Sequence, residues 1–310
     1  GTIMARRNSN QLIATLPPYV DRRHLIIGNP SVDELRFNTV SPIATNRRDL
    51  LARLHRECGG KRLWIDLKGR QLRIAKFAYL PYAYVELTHE ISVDLPAVIC
   101  FKDSVGCVVA IVDGHKLILN SRPCRVVGEG EPVNILHPSL RIKGYLTESD
   151  HEYVAAAVKL DLHDYMLSFA EQDEDIAEQM ALDPQAHVMA KIESLRGLQW
   201  MRHRPYDVGL MAARDDLYIN MGDGHTAILD ALRDIRTADR NAVAASRFLE
   251  SLEKGDTPSL TDITDIALML SMGYKRFMLG DMICFHEEAF HAALALMAKL
   301  LGKAEGSKRQ

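Results

Sequence analysis

The sequence predicts an α/β fold: a (β/α)₈ barrel with a small all-β domain inserted after the third strand. Three observations carry this expectation. Eight short apolar runs alternate with stretches of helical spacing, the order expected of parallel strands joined by crossover helices. Residues 74–143 interrupt that alternation with short β-rich runs and turns. Two consecutive apolar runs, residues 188–192 and 208–213, break into charge at their ends, with Lys191 and Glu193 at the first and Arg214, Asp215 and Asp216 after the second. Side chains two apart on a strand point the same way, so Lys191 and Glu193 leave their strand together. In such a barrel, catalytic groups sit at the C-terminal strand ends. The expected division is residues 1–73 for the first part of the barrel, 74–143 for the insert and 144–310 for the rest.

In chain order, residues 11–16 form the first strand, followed by Pro17 and Pro18. A second unit begins at Val32 and runs into Arg36 and Asn38. Leu50, Leu51 and Leu54 recur at helical spacing, and Gly59 and Gly60 stop that helix. Residues 62–67 form the third strand and lead into Lys68 and Gly69. Within the insert, runs at 82–87, 97–101, 106–112 and 116–119 read as strands, with a tight turn at Asp113 and Gly114. A helix starts near Thr147 or Ser149, residues suited to an N-cap. Strands follow at 165–169, 188–192, 208–213, 242–246 and 275–280, with helices at 226–235, 263–272 and 287–301. The polar residues 302–310 are expected to fray.

The chain has 310 residues and a formal net charge of −3. That length can bury a large core. The charge gives no bulk attraction to nucleic acid or to an anionic membrane. Five cysteines with no CxxC pair argue against a disulfide framework and fit a reducing cytoplasm. No stretch has the length and apolarity of a membrane span, and no leader is visible, so a cytoplasmic location is expected.

Read in order, these motifs resemble the pyruvate kinase family. Residues 11–16 look like its opening strand, and Leu35-Arg-Phe-Asn38 like its Arg-x-Asn strand end. Residues 66–73, Asp-Leu-Lys-Gly-Arg-Gln-Leu-Arg, are similar to its Asp-Thr-Lys-Gly-Pro-Glu-Ile-Arg signature. The β-rich insert falls where the family carries its lid domain. Pro132-Val-Asn134 and then Leu146 to Asp150 resemble the return to the barrel. Ser168-Phe169, Lys191-Ile-Glu193, Arg214-Asp-Asp-Leu217 and residues 245–251 resemble further active-site motifs. The resemblance ends with the barrel, and the family's C-terminal regulatory domain has no counterpart in these residues.

The resemblance implies a Mg²⁺ ion (or Mn²⁺) on Glu193 and Asp216, hard oxygen ligands that suit it. Lys191 would steady negative charge on an enolate oxygen. Ser246 stands at the methylene face of that enolate, and Arg36 and Arg73 stand where arginines face phosphate. Lys68, Ser168 and Asp215 fall at substrate-side positions, and Asn38 and Asp66 at the family's monovalent-cation site. The implied substrates are phosphoenolpyruvate or pyruvate, with ADP or ATP as the nucleotide. Assembly into a homo-oligomer is left open.

Departures cluster on one side. Val40, Leu67 and Gln71 replace residues of the K⁺ site, which argues against a potassium requirement. Asp215 puts a carboxylate where the family has glycine. Glu131 stands in place of a lid lysine that meets nucleotide phosphates, and Glu171 in place of an arginine; a negative charge there disfavours nucleotide. Three readings follow: phosphoryl transfer from phosphoenolpyruvate, aldolase or lyase chemistry through a pyruvate enolate on the same Mg²⁺ site, or a non-catalytic relative. His286 and His291 lie five apart, not the four of a helical zinc motif, and are read as packing residues. Gly222-Asp-Gly224 is read as a turn.

Overall fold

The computed structural model describes residues 10–18, 22–76, 83–123, 125–222 and 224–303. Tyr82, Cys124, Asp223 and most of the tail expected to fray lie outside them. Among the described residues, eight parallel strands close into a barrel.

Three barrel strands come first: β1 (Gln11–Thr15), β2 (Glu34–Asn38) and β3 (Leu63–Leu67). The insert follows with β4 (Ile74–Lys76), β5 (Tyr84–Leu87), β6 (Ile91–Ser92), β7 (Ala97–Cys100), β8 (Val105–Val112), β9 (Lys116–Leu119), β10 (Asn134–Leu136) and β11 (Arg141–Ile142). The barrel resumes with β12 (Asp164–Leu167), β13 (His187–Ile192), β14 (Gly209–Ala213), β15 (Val243–Ala245) and β16 (Arg276–Leu279), and β16 pairs with β1 to close it. The helices are α1 (Arg23–Ile27), α2 (Arg47–Glu57), α3 (Glu148–Lys159), α4 (Asp173–Leu182), α5 (Leu195–Trp200), α6 (Arg214–Asn220), α7 (Ile228–Ala238), α8 (Leu260–Ser271), α9 (Asp281–Cys284) and α10 (Glu287–Leu300).

Three cores hold this plan together. One lies between the barrel and its helices and includes Leu12, Leu35, Leu167, Ala190, Leu210 and Phe277. A second fills the barrel with Ile13, Trp64, Met166, Met189, Met211, Val243 and Met278. Unbranched, polarizable methionines suit the irregular space inside a closing barrel. The third, with Ile74, Val85, Ile99, Val108, Leu117 and Ile135, belongs to the antiparallel insert. The insert therefore has a hydrophobic centre of its own.

Strand alternation decides what reaches the barrel mouth. Side chains two positions on from inward Met189, Trp64 and Met166 share the inward face, and these are Lys191, Asp66 and Ser168. The insert leaves and re-enters through a narrow neck. Arg73 and Pro132 form an antiparallel bridge, Ile74 N–H donates to the Glu131 carbonyl (2.9 Å), and Val133 N–H donates to the Leu72 carbonyl (3.0 Å).

Most expected elements appear within a few residues of their predicted ends. Helix α2 is stopped at Cys58 and Gly59, the latter at φ +60°. Helix α3 is capped by Thr147, whose hydroxyl accepts from Asp150 N–H (3.1 Å) while Asp150 answers to Thr147 N–H (3.0 Å). Helices α4 and α6 follow β12 and β14 with little or no intervening loop, and the sequence reading assigned them no element.

Candidate active site

The mouth of the barrel gathers a charged cluster. Lys191 is 8% exposed. Its ammonium donates to both oxygens of Asp66 (3.2 Å each) and to Ser168 Oγ (3.2 Å), and stands 3.8 Å from Glu193 Oε1. Ser168 in turn donates to the Leu67 carbonyl (2.7 Å). Asp66 also accepts two bonds from Arg36, at 2.9 and 2.7 Å. Burial pushes the Asp66 carboxyl up, but Lys191 and Arg36 outweigh it and leave it below the ordinary carboxylate range.

The other two carboxylates are not matched in this way. Glu193 is 2% exposed. It accepts from Phe169 N–H (2.8 Å) and has no closer cation than Lys191. Burial pushes its carboxyl up to about 8, with Lys191 opposing and the charge of Asp216 adding to the shift. Asp216 lies in the first turn of α6, and burial raises it too. Its oxygens accept from two neutral amides, Gln71 Nε2 (3.3 Å) and Asn134 Nδ2 (3.1 Å). Gln71 precedes the neck on the outgoing chain and Asn134 follows it on the return, so both crossings of the insert hold one barrel carboxylate. Asn220 of α6 completes this group by donating to Asn134 Oδ1 (2.9 Å).

The turn after β3 is fixed by Asp150, which accepts from Lys68 N–H (2.8 Å) and Gly69 N–H (2.9 Å). Gly69 sits at φ +54°, and a Cβ there would lie 2.6 Å from the Ser168 carbonyl. No other residue fits this approach.

A sequence profile described as "Pyruvate kinase, barrel domain" matches residues 60–282, more than half of the chain. The chain belongs to the pyruvate kinase family. It is 23% identical over 187 residues to the pyruvate kinase of Lactobacillus delbrueckii subsp. bulgaricus, covering 57% of this chain and 32% of that one. It is 28% identical over 165 residues to the pyruvate kinase of Methanocaldococcus jannaschii, covering 50% and 36%. The chain thus spans about a third of the length of these relatives. The crystal structure of Cryptosporidium parvum pyruvate kinase superposes with a TM-score of 0.73 at 18% identity, covering 95% of this chain and 70% of that one, a likeness of fold.

Against the family pattern, the expected residues divide. Lys191, Glu193, Asp66 and Ser168 come together, with Asp216 coupled to Glu193. Arg36 does not face open space; besides Asp66 it donates to Thr15 Oγ1 (3.1 Å) and lies 3.4 Å from Asp281. In this structure it is the counter-ion of Asp66. Asn38 donates to Asp281 Oδ2 (2.8 Å), a partner from the far end of the chain that the sequence reading missed. Lys68 turns its ammonium to Ser149 Oγ (3.3 Å), away from the Lys191 cluster. Asp215 pairs with Arg247 (2.5 Å), yet its charge still adds to the upward shift of Asp216. Ser246 Oγ accepts from Asp215 N–H (2.8 Å) and donates to no described group. Arg73 donates to the Gly130 carbonyl (2.9 Å) and to Gln71, and its Nε is buried without a partner. Burial lowers its pKa, opposed chiefly by Asp216.

The departures also have partners. Glu131 is held by Arg125 through two 2.9 Å bonds, and Arg125 also pairs with Asp103 (2.8 Å), so one cation serves two carboxylates. Glu171 accepts from Ser194 Oγ (2.6 Å) and lies 3.5 Å from Arg70. Arg70, where the family has proline, forms a double bond set with Asp175 (2.8 and 2.6 Å). Nothing in the local sequence announced that pair.

Proposed function

We propose that the protein catalyses Mg²⁺-dependent phosphoryl transfer between phosphoenolpyruvate and an acceptor, through a pyruvate enolate. The observation that carries this reading is the buried Lys191 ammonium set beside the under-neutralised pair Glu193 and Asp216. Among the described residues no three His, Cys, Asp or Glu side chains converge as a metal cluster. Two carboxylates without a matching cation nevertheless fit a hard divalent ion that keeps waters and takes substrate oxygens as its remaining ligands. Glu193 and Asp216 would hold Mg²⁺ or Mn²⁺, which supplies positive charge at those oxygens.

The chain's own groups do the rest. Lys191, fixed by Asp66 and Ser168, places its charge where an enolate oxygen develops. Arg73 offers a spare N–H to phosphate. Ser246 keeps its proton for the methylene carbon of the enolate. The insert, residues 74–143, serves as a lid that excludes water during transfer. No potassium role is proposed, because Asp66 already faces two cations. The four described cysteines are free, which supports a reducing, cytoplasmic setting.

A phosphorus NMR time course with phosphoenolpyruvate, Mg²⁺ and ADP tests the reading. ATP should appear with the native protein and not with Lys191→Ala. The carboxylates Glu131 and Glu171, standing where the family has cations, favour an enolate aldolase or lyase as the second reading. Untouched phosphoenolpyruvate, with oxalate still raising Tm only when Mg²⁺ is present, would select it. No Mg²⁺-dependent oxalate shift would leave a non-catalytic relative.

A further inference from the structure

A cavity of 630 Å³ lies between the insert and the barrel, beside the Lys191 cluster but not part of it. One wall is the base of the insert, with Leu72 on the outgoing chain and Ile135 and Leu140 on the return; the other is the barrel, with Phe169 and Leu195. Its size falls within the range of small-molecule sites, about 300–1,000 Å³. Leu195 is 50% exposed although it faces this apolar space, so the lining leaves hydrophobic surface to be covered.

Arg196 lines the cavity, and the exposed Arg141 lies beside it on a shared carbonyl. Arg196 Nη2 donates to the Pro138 carbonyl (2.9 Å), and Arg141 Nη1 reaches the same oxygen at 3.5 Å and the Leu140 carbonyl at 2.9 Å. Neither forms an ion pair among the described residues, whereas Arg70 nearby is matched by Asp175. The two cations on one carbonyl repel each other, and burial together with Arg141 lowers the pKa of Arg196 in spite of the opposing charge of Glu171, which also lines the cavity. An anion placed there would relieve both.

We propose that this cavity binds a small amphipathic anion, its apolar body between Ile135, Leu140 and Phe169 and its carboxylate or phosphate on Arg141 and Arg196. The site is separate from the proposed chemistry and does not depend on it. Asn134 and Phe169 connect the two, since each lines the cavity and donates to a carboxylate of the cluster.

Isothermal titration of the whole protein tests this with four probes: octanoate, phenyl phosphate, inorganic phosphate and octyltrimethylammonium. At least one of the first two should bind saturably with a stoichiometry of one, and which of them does so distinguishes an aliphatic from an aromatic body. Inorganic phosphate and the cation should bind at least about tenfold more weakly. The double variant Arg141→Gln, Arg196→Gln should weaken the anion by about tenfold or more. Leu140→Trp should fill the space and abolish binding, with circular dichroism confirming the fold. Equal binding of anion and cation, or of inorganic phosphate and the amphiphiles, would overturn the proposal. So would an absence of saturable binding, or binding indifferent to the arginine variants. The Mg²⁺–oxalate response measured on the same samples separates failure here from failure of the enolate reading.

Discussion

The two ends of the barrel handle charge in opposite ways. At the N-terminal end, Asp183 is 1% exposed and accepts from His163 Nδ1 (2.7 Å), Tyr165 OH (2.7 Å) and Gln185 N–H (3.0 Å). Burial pushes its carboxyl up, but the bonds from His163 and Tyr165 win and hold it below the usual range. Glu34 likewise accepts from Trp64 Nε1 (3.1 Å) and Arg276 (2.5 Å). At the C-terminal end burial wins instead, and Glu193 and Asp216 are both shifted upward. A single strand, β13, runs from the paired His187 at one end to Lys191 and the start of this imbalance at the other. The carboxylates of the floor are matched by their own side-chain partners, whereas at the mouth burial outweighs the partners available. This matches the division of a barrel into a stabilising face and a reactive one.

Substitutions at each end sharpen or break that contrast. The largest effect is expected from Lys191→Ala, a loss of turnover of about 10²–10³-fold in the phosphorus NMR assay. Next is Asp183→Ala, which strands three donors; denaturant unfolding should show a loss of about 2–3 kcal/mol with activity per folded molecule unchanged. Glu193→Gln should do the reverse. It removes a carboxyl that burial holds protonated at neutral pH at a cost to folding, so the metal-free protein should gain about 1–2 kcal/mol while losing its Mg²⁺-dependent rise in Tm. A metal-free Glu193→Gln protein less stable than the parent would mean that the mouth is as well matched as the floor.

The smallest effect is a pH dependence. The hydrogen bond to Asp183 raises the pKa of His163 above its ordinary value. A raised folded-state value means that His163 contributes stability below its unfolded pKa, about 6.5, and loses it as pH rises through the folded value. His163→Gln should therefore lower Tm in mildly acidic buffer, by about 1 kcal/mol in stability, and converge with the parent in alkaline buffer. A difference that persists there would assign His163 a packing role instead.

The barrel was legible because each strand is a buried apolar run, and period two along the fifth run put Lys191 and Glu193 on one face, while Asp66 and Ser168 were found through the family motifs. The pairing of side chains across the site was not legible. Arg36 was read as facing phosphate because it matches a family arginine in that role; what takes its fork in this structure is Asp66 on the next strand. Lys68 was read by its neighbours in the signature, yet Ser149, on the far side of the insert, captures its ammonium. Asp281 and Asn134 reach Asn38 and Asp216 from distant segments, and nothing local marks such contacts. Helices α4 and α6 went unassigned because acidic residues fill their first turns and hide the apolar spacing.

The neck at Arg73 and Pro132 bears on the order in which the chain reaches its native state. β3 must find β12 across the whole insert, with Ile65 pairing with Tyr165. Closing so long a loop as open coil is entropically unfavourable and slow. An insert with its own hydrophobic centre can collapse first, and the bridge then brings its two ends side by side. β3 and β12 are left separated by a short effective tether. The inserted sheet in this way acts during folding as a splint for the barrel that carries it.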